Sequence, residues 1–265
     1  MSEDLSGTTS DAFTRAVADL YDFYFRGVPG DVEFYVRQAK EQGGPALELG
    51  CGTGRVAAAL AEAGVPTVGV DREREMLSRA AVRVAGLGPA VQARLSLVCA
   101  DMRALPFQGS FASAILAYNS FLHLLTPSDQ LACLHSVREA LRPGGVLICH
   151  LFDPDPYVLA TRDGRIERSA GFLNPRTGRR VLVELAGRVD PTEQRMTQTF
   201  FFEEIDQEGR SVSRRAATLT LRYVYRWEME HLLARCGFRV RELFGGFREE
   251  PYRPRGEQVW IAERL

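Results

Sequence analysis

The sequence predicts an α/β fold: a doubly wound, mostly parallel sheet of seven strands with an antiparallel sheet inserted late in the chain. Three observations lead there. Helical and apolar-strand patterns alternate from residue 31 to about residue 153, as in a parallel sheet covered by helices on both faces. The apolar run 45–50 leads into Gly50-Cys51-Gly52-Thr53-Gly54 and then a helix-forming segment, the form of a nucleotide cradle. Beyond residue 153 the alternation stops, and long segments with strand periodicity follow one another without helices between them.

Each element has a local reason. The strands of the parallel part are 45–50, 66–71 (PTVGVD), 94–100 (RLSLVCA), 111–118 (FASAILAY) and 146–152 (VLICHLF). Between them, the alanine-rich stretch from Arg55 to Ala63 is a helix stopped by Gly64, and Arg72 to Ala85 is another stopped at the Gly-Leu-Gly turn. Thr126, Pro127 and Asp129 form a cap, a first-turn proline and a capping-box acid, opening a helix to about Leu141 that Pro143-Gly144-Gly145 ends. A polar, arginine-rich stretch from Pro154 to Gly178 carries no strand pattern. The segments 180–190, 195–206 and 212–226 read as three antiparallel strands, with Leu219, Leu221, Tyr223 and Tyr225 on one face of the last. Glu228 to Cys236 is a helix closed by Gly237, and Phe238–Phe244 and Gln258–Arg264 complete the main sheet. The expected organisation is an amino-terminal helical lid segment (1–30), a cofactor-binding domain (31–153 and 226–265) and an inserted substrate-lid sheet (154–225).

Composition narrows the function. A net charge of -1 over 265 residues gives no electrostatic attraction to nucleic acid or an anionic membrane, so neither is expected as a partner. No apolar run is long enough to span a bilayer, and the start MSEDLSGTTSD is acidic rather than signal-like, so a cytoplasmic location is expected. The five cysteines, Cys51, Cys99, Cys133, Cys149 and Cys236, are dispersed through apolar runs, so neither a disulfide framework nor a metal site is expected.

Ligands of open parallel sheets bind beyond the carboxyl ends of the strands. Polar groups gather there in this sequence. Glu48 stands two residues before Gly50, where an acid suits a cationic ligand or one rich in donors. Asp71 ends the second strand, placed to accept two ribose hydroxyls. Asp101 and Met102 follow the third, a carboxylate for an exocyclic amine and an apolar neighbour for a ring. Tyr118, Asn119 and Ser120 end the fourth. Each acid alone is equally well explained as a helix cap or a solvated carboxylate, but four strand ends converging is harder to explain so.

The segment Glu48-Leu-Gly50-Cys-Gly52-Thr-Gly54 resembles the first motif, E/D-x-G-x-G-x-G, of the class I S-adenosylmethionine-dependent methyltransferases, which have a Rossmann-like fold. The resemblance covers residues 31–153 and, in topology, 226–265. It implies that Gly50, Gly52 and Gly54 admit the methionyl part of S-adenosylmethionine, that Asp71 holds the ribose and that Asp101 and Met102 hold the adenine; Glu48, Cys51, Arg72 and Tyr118 are expected among the cofactor-binding residues. It further implies a small-molecule acceptor, release of S-adenosylhomocysteine, and an amino-terminal helix over the cofactor, so that Tyr24 is expected at the cofactor and Tyr21 at the acceptor, an aromatic helix face packed on the core being the plain alternative. Asn119-Ser-Phe-Leu-His123 and the tail from Phe244-Gly-Gly-Phe247 to Pro251-Tyr252 look like bacterial small-molecule methyltransferases, amino-sugar N-methyltransferases among them. The fourth strand lacks the Asn/Asp-Pro-Pro-Tyr/Phe motif, which disfavours adenine or glutamine amides as acceptors.

Methyl transfer is an in-line displacement, so the protein must mainly align and desolvate the nucleophile, an N or O atom of the acceptor. His123 is the expected general base, because imidazole titrates near working pH; a histidine merely packed in the loop is the plain alternative. Asp153, Asn119 and Tyr223 are expected at the acceptor, although Asp153 lies in an Asp-Pro-Asp-Pro run that also reads as a turn. His150, inside a strand, reads as structural. Phe200–Phe202 puts rings on both faces of one strand, and Arg214, Arg215 and Arg222 suit either an anionic acceptor or a solvated face. Two further functions fit part of the pattern. Gly52, Gly54 and Ala57 satisfy G-x-G-x-x-A with Asp71 at the right distance for an NAD(P)-dependent oxidoreductase, although that reading uses neither Glu48 nor the Asp101-Met102 pair. A non-catalytic cofactor-binding protein leaves the inserted sheet unexplained. A monomer or a homodimer is expected.

Overall fold

The structure, a computed structural model, describes Phe13 and residues 16–265. The acidic start MSEDLSGTTSD lies outside the described residues. The chain divides into two compact units, one of residues 27–154 and 223–265, the other of the described residues up to Arg26 together with 155–222.

The larger unit is built on a seven-stranded sheet of order β10-β11-β5-β4-β1-β2-β3. Its strands are β1 (Ala46–Leu49), β2 (Thr67–Asp71), β3 (Leu95–Cys99), β4 (Phe111–Leu116), β5 (Leu141–Phe152), β10 (Phe238–Phe244) and β11 (Glu257–Arg264). β1 to β5 pair in parallel, while β11 runs antiparallel to both β5 and β10. This is the expected doubly wound, mostly parallel sheet. β1 and β4 are buried along their whole length, which is why they read as continuous apolar runs rather than as alternating ones. Helices α2 (Asp31–Gln42) and α3 (Arg55–Glu62) send Phe34, Tyr35, Val56 and Leu60 against Ile115, Ile148, Val259 and Ile261. At roughly 1.5–3 kcal/mol for each fully buried large side chain, this cluster is the main source of stability on that face. α4 (Arg74–Ala85), a short α5 (Pro89–Gln92), α6 (Pro127–Ala140) and α8 (Arg226–Arg235) complete the unit. The expected cap of α6 is present: the Asp129 amide donates to Thr126 Oγ1 at 3.1 Å, and Thr126 Oγ1 donates back to Asp129 Oδ2 at 2.7 Å.

The smaller unit is a four-stranded antiparallel sheet of order β6-β7-β8-β9, with strands β6 (Asp163–Leu173), β7 (Arg180–Asp190), β8 (Arg195–Ile205) and β9 (Ser211–Arg222), together with α1 (Tyr21–Tyr24) and α7 (Pro156–Thr161). Phe200 and Phe202 on β8 are buried and meet Tyr24 edge-on at 5.8 and 5.6 Å, with Phe13 and Phe25 joining Phe200. Arg215 on β9 grips Asp19 with both guanidinium nitrogens, at 2.8 and 3.1 Å. Among the described residues before Gly27, Phe13, Tyr24 and Phe25 therefore pack with the inserted sheet's own core.

Two expectations are corrected. The stretch from Pro154 to Gly178 contains β6, so the insertion has four strands rather than three. β6 is an edge strand whose residues are exposed on both faces for most of its length, so it has no buried side to stamp alternation on the sequence. Its charges and its two register breaks against β7 are the usual protection of a free edge. The last inserted strand ends at Arg222, because Tyr223–Tyr225 keep the alternation but lack a ladder partner.

Candidate active site

The glycine-rich turn follows β1 at the carboxyl edge of the sheet. Gly52 has φ of 55°, and an added Cβ there would stand in open space, with no atom within 4 Å. At Gly50 the opposite holds: a Cβ would lie 2.9 Å from Ser120 Oγ and 3.6 Å from Met102 Cε. The turn after β4 and the residue after β3 thus press on the first glycine, while the second faces an unfilled space.

Asp71, at the end of β2, organises this turn. Its Oδ2 accepts the Gly52 amide at 2.8 Å and its Oδ1 the Glu73 amide at 2.9 Å. Burial raises its pKa, and the two amides work against that rise. Cys51 is buried with its sulfur against Gly69, and burial pushes its thiol up, so it packs under the loop as an apolar residue. Glu48 is 3% exposed and lies beneath the loop rather than on it. Burial pushes its carboxyl up to about 8, against a hydrogen bond from the Ala57 amide and the charge of Arg55, and its Oε2 has no hydrogen-bond partner. Arg55, the first residue of α3, holds Asp31 at the start of α2 through two bonds of 2.8 and 2.6 Å. Sequence reasoning missed this pair; its only signal is an arginine directly after the last glycine.

Asp101 and Met102 follow β3 as expected, but Asp101 is not unengaged. Burial works to raise its pKa, yet Arg103, bonded at 2.7 to 3.0 Å, holds it below the usual carboxylate range; Arg103 also reaches Asp129 at 2.6 Å. Arg72 is exposed beside Asp71, pairing with Glu73 at 3.0 Å.

After β4 the backbone does something unusual. Tyr118 and Asn119 are consecutive non-glycine residues in the left-handed region, with φ of 46° and 68°. Such residues cost on the order of 1–3 kcal/mol each and gather at functional sites. Ser120–His123 then form one 3-10 turn. The Ser120 hydroxyl donates to Ala117 C=O at 2.7 Å, with Gly50 C=O at 3.4 Å.

His123 closes that turn, and its side chain makes no hydrogen bond among the described residues. Desolvation first, and the Arg72 charge second, push its imidazole pKa down to about 4. These surroundings favour the neutral imidazole over the charged one. His150 is fully buried in β5, with Nε2 2.7 Å from Glu257 Oε2 and Nδ1 without a partner, consistent with a structural part.

Two acceptor candidates are placed elsewhere than expected. Asp153 accepts three hydrogen bonds, from Tyr252 Oη at 2.8 Å, Gln258 Nε2 at 2.8 Å and the Arg255 amide at 2.9 Å. It anchors the carboxyl-terminal segment instead of presenting a vacant carboxylate. Tyr223 is only 2% exposed, edge-on to Tyr225 at 5.6 Å, so its ring is core. Tyr21 and Tyr24 belong to the smaller unit, where Tyr21 packs on Phe25 at 4.9 Å and Tyr24 Oη meets Ser169 Oγ at 2.9 Å. Among the described residues no group of His, Cys, Asp and Glu has the makings of a metal site.

With this geometry in place, likeness to known proteins can be weighed. Residues 46–145 match the methyltransferase-domain family. The putative methyltransferase YqeM of Bacillus subtilis is 31% identical over 136 residues, covering 51% of this chain, and the chain spans only 53% of that relative. The cypemycin N-terminal methyltransferase of a Streptomyces species is 27% identical over 217 residues, covering 82% of this chain and 81% of its own. Among solved structures, the CcbJ methyltransferase from Streptomyces caelestis superposes with a TM-score of 0.80 at 22% identity, over 96% of this chain and 98% of its own. CalS10, an amino pentose methyltransferase from Micromonospora echinaspora, superposes with a TM-score of 0.69 at 22% identity, over 93% and 97%. At these identities the structural matches speak to the fold, which agrees over nearly the whole length of each chain.

Proposed function

We propose, from the match of residues 46–145 to the methyltransferase-domain family, that the protein transfers a methyl group from S-adenosylmethionine to a nitrogen or oxygen atom of a small molecule. The observation that carries the reading is the convergence at the glycine turn: Asp71 on the Gly52 amide, Ser120 and Met102 against Gly50, and open space above Gly52. The residues fit the cofactor. A left-handed glycine facing open space leaves room for a ligand against the backbone, and Glu48 Oε2 is a buried oxygen without a hydrogen-bond partner two residues before the glycine turn.

When bound, S-adenosylmethionine supplies a methyl group on a sulfonium, which the acceptor's lone pair takes by in-line displacement while the breaking bond's electrons stay on sulfur. The chain's own work is placement and proton handling. Asp71 retains lone pairs beyond the two amides it accepts, and these would receive the ribose hydroxyls. Met102 would pack the adenine, and Asp101, beside its bonds to Arg103, would accept the adenine amine. His123 Nδ1 or Nε2 takes the acceptor's proton as the new bond forms. An amine acceptor is favoured by the narrower likenesses, since one relative is described as an N-terminal methyltransferase and one structure as an amino pentose methyltransferase. The cytoplasm suits five cysteines that are all free thiols.

Titration calorimetry tests the reading directly. S-adenosylhomocysteine is expected to bind with a dissociation constant in the micromolar range or below, about -8 kcal/mol or better, and NAD and NADP not at all. Binding of NAD without S-adenosylhomocysteine overturns the proposal.

A further inference from the structure

The left-handed pair after β4 needs something to hold it, and the structure shows what does. β4 and β5 run in parallel register as far as Leu116 opposite Cys149. In a parallel ladder a residue donates its amide to one partner carbonyl and accepts, through its own carbonyl, the amide two residues further on. Asn119 reproduces that pattern with mixed parts. Its backbone amide donates to His150 C=O at 3.1 Å, and its side-chain Oδ1, not its backbone carbonyl, accepts the Phe152 amide at 2.7 Å. The backbone carbonyl is thereby released, and it accepts the Leu122 amide at 2.9 Å to open the 3-10 turn that ends at His123.

We propose that Asn119 is the positioning residue of the transfer site: its side-chain carbonyl continues the β4–β5 ladder while its backbone turns away, which fixes Ser120 against the glycine turn and sets where His123 stands. The role rests on the methyltransferase reading above. It differs from the acceptor contact expected of this residue, because Oδ1 is committed to Phe152. The residue type follows from the geometry. The position needs a left-handed backbone, which asparagine tolerates better than most residues, and a carbonyl one methylene from Cα. Glycine meets only the first requirement, leucine neither, and aspartate both.

The test compares Asn119→Gly, Asn119→Leu and Asn119→Asp by S-adenosylhomocysteine calorimetry and by the His123 ring cross-peak in proton–carbon NMR, assigned with a His123→Gln variant. Asn119→Gly is expected to weaken S-adenosylhomocysteine binding about tenfold, as for one lost hydrogen bond in an ordered site, and to shift and broaden the His123 peak. Asn119→Asp is expected to stay within about threefold of wild type with the peak in place. Asn119→Leu loses both requirements, and because glycine keeps the backbone conformation, the result does not depend on the leucine variant folding. The proposal is overturned if the glycine variant matches wild type in both readouts, or if the aspartate variant loses as much as glycine. If wild-type protein itself fails to bind S-adenosylhomocysteine, the functional reading falls, while the His123 peak still decides whether Asn119 positions the turn.

Discussion

His123 shows how one side chain's setting changes the chemistry it can perform. An ordinary imidazole is half charged near pH 6.5, but here desolvation and Arg72 move the change down to about 4. The sign follows from that direction. Above the depressed pKa the ring is already neutral and able to accept a proton, so the base form is lost only as pH falls through about 4. Wild-type turnover is therefore expected to show no inflection from His123 between about pH 5.5 and 8, with an acid limb below. His123→Gln is expected to lower turnover by roughly 10² to 10⁴ with cofactor affinity within about twofold, and its residual rate should climb with pH as the acceptor deprotonates unaided. Paired pH-rate profiles on the acceptor check this, and parallel profiles for the two proteins would remove His123 from the reaction. Glu48 carries the opposite displacement, raised by burial to about 8, so a neutral-pH solution holds mostly the protonated acid until a cation arrives above it.

Elements divide by how much of their reason is local. The parallel strands were legible because burial on both faces leaves unbroken apolar runs, and α6 was legible because Thr126, Pro127 and Asp129 write its cap in three residues. β6 was illegible for the converse reason: an exposed edge strand has no buried face and hence no period. Strand-end acids could be read as a set, but their partners could not. Asp101 meets Arg103 two residues away, and Asp153 meets Tyr252 and Gln258 about a hundred residues away, distances that composition and spacing do not encode. The glycine turn lies between these cases, since its conformation is local and its purpose is not. Gly52 and Gly64 are both left-handed with open space at the would-be Cβ, one on the proposed cofactor side and one at the far end of α3. Alanine at either position is expected to cost about 1–2 kcal/mol of stability from the backbone conformation alone. Only Gly52→Ala should also weaken S-adenosylhomocysteine binding, by tenfold or more, because its methyl group enters the ligand's space. Denaturant titrations beside calorimetry separate the two effects, and equal loss of affinity in both variants would mean that the cofactor does not approach Gly52.

At the scale of the whole molecule, the chain leaves the seven-stranded sheet after β5 and returns before α8, and one side chain secures both places. Gln258 on β11 is fully buried; its Nε2 donates to Asp153 Oδ1 at 2.8 Å and to Val224 C=O at 3.3 Å, and its Oε1 accepts Trp260 Nε1 at 3.1 Å. Asp153 precedes the departure and Val224 follows the return, so the two roots are tied to the same strand. None of the seven strands comes from 155–222, and every residue gathered around the glycine turn lies within 27–154. A chain of residues 27–154 joined to 223–265 by a short glycine-serine linker is therefore expected to fold, since a flexible closure costs little once its ends are pinned. The segment before Gly27 is omitted with the insertion because its aromatic rings pack on β8 and would otherwise be left uncovered. This shortened chain should unfold in one cooperative transition and bind S-adenosylhomocysteine within about tenfold of the full protein, a difference of about 1.4 kcal/mol. Circular dichroism melts with and without S-adenosylhomocysteine give both answers, because a ligand held only by the folded state raises the midpoint. A shortened chain that folds cooperatively yet shows no ligand-dependent rise would locate part of the cofactor site in the excised residues, contrary to the assignment of Asp71, Met102 and the glycine turn as its principal contacts.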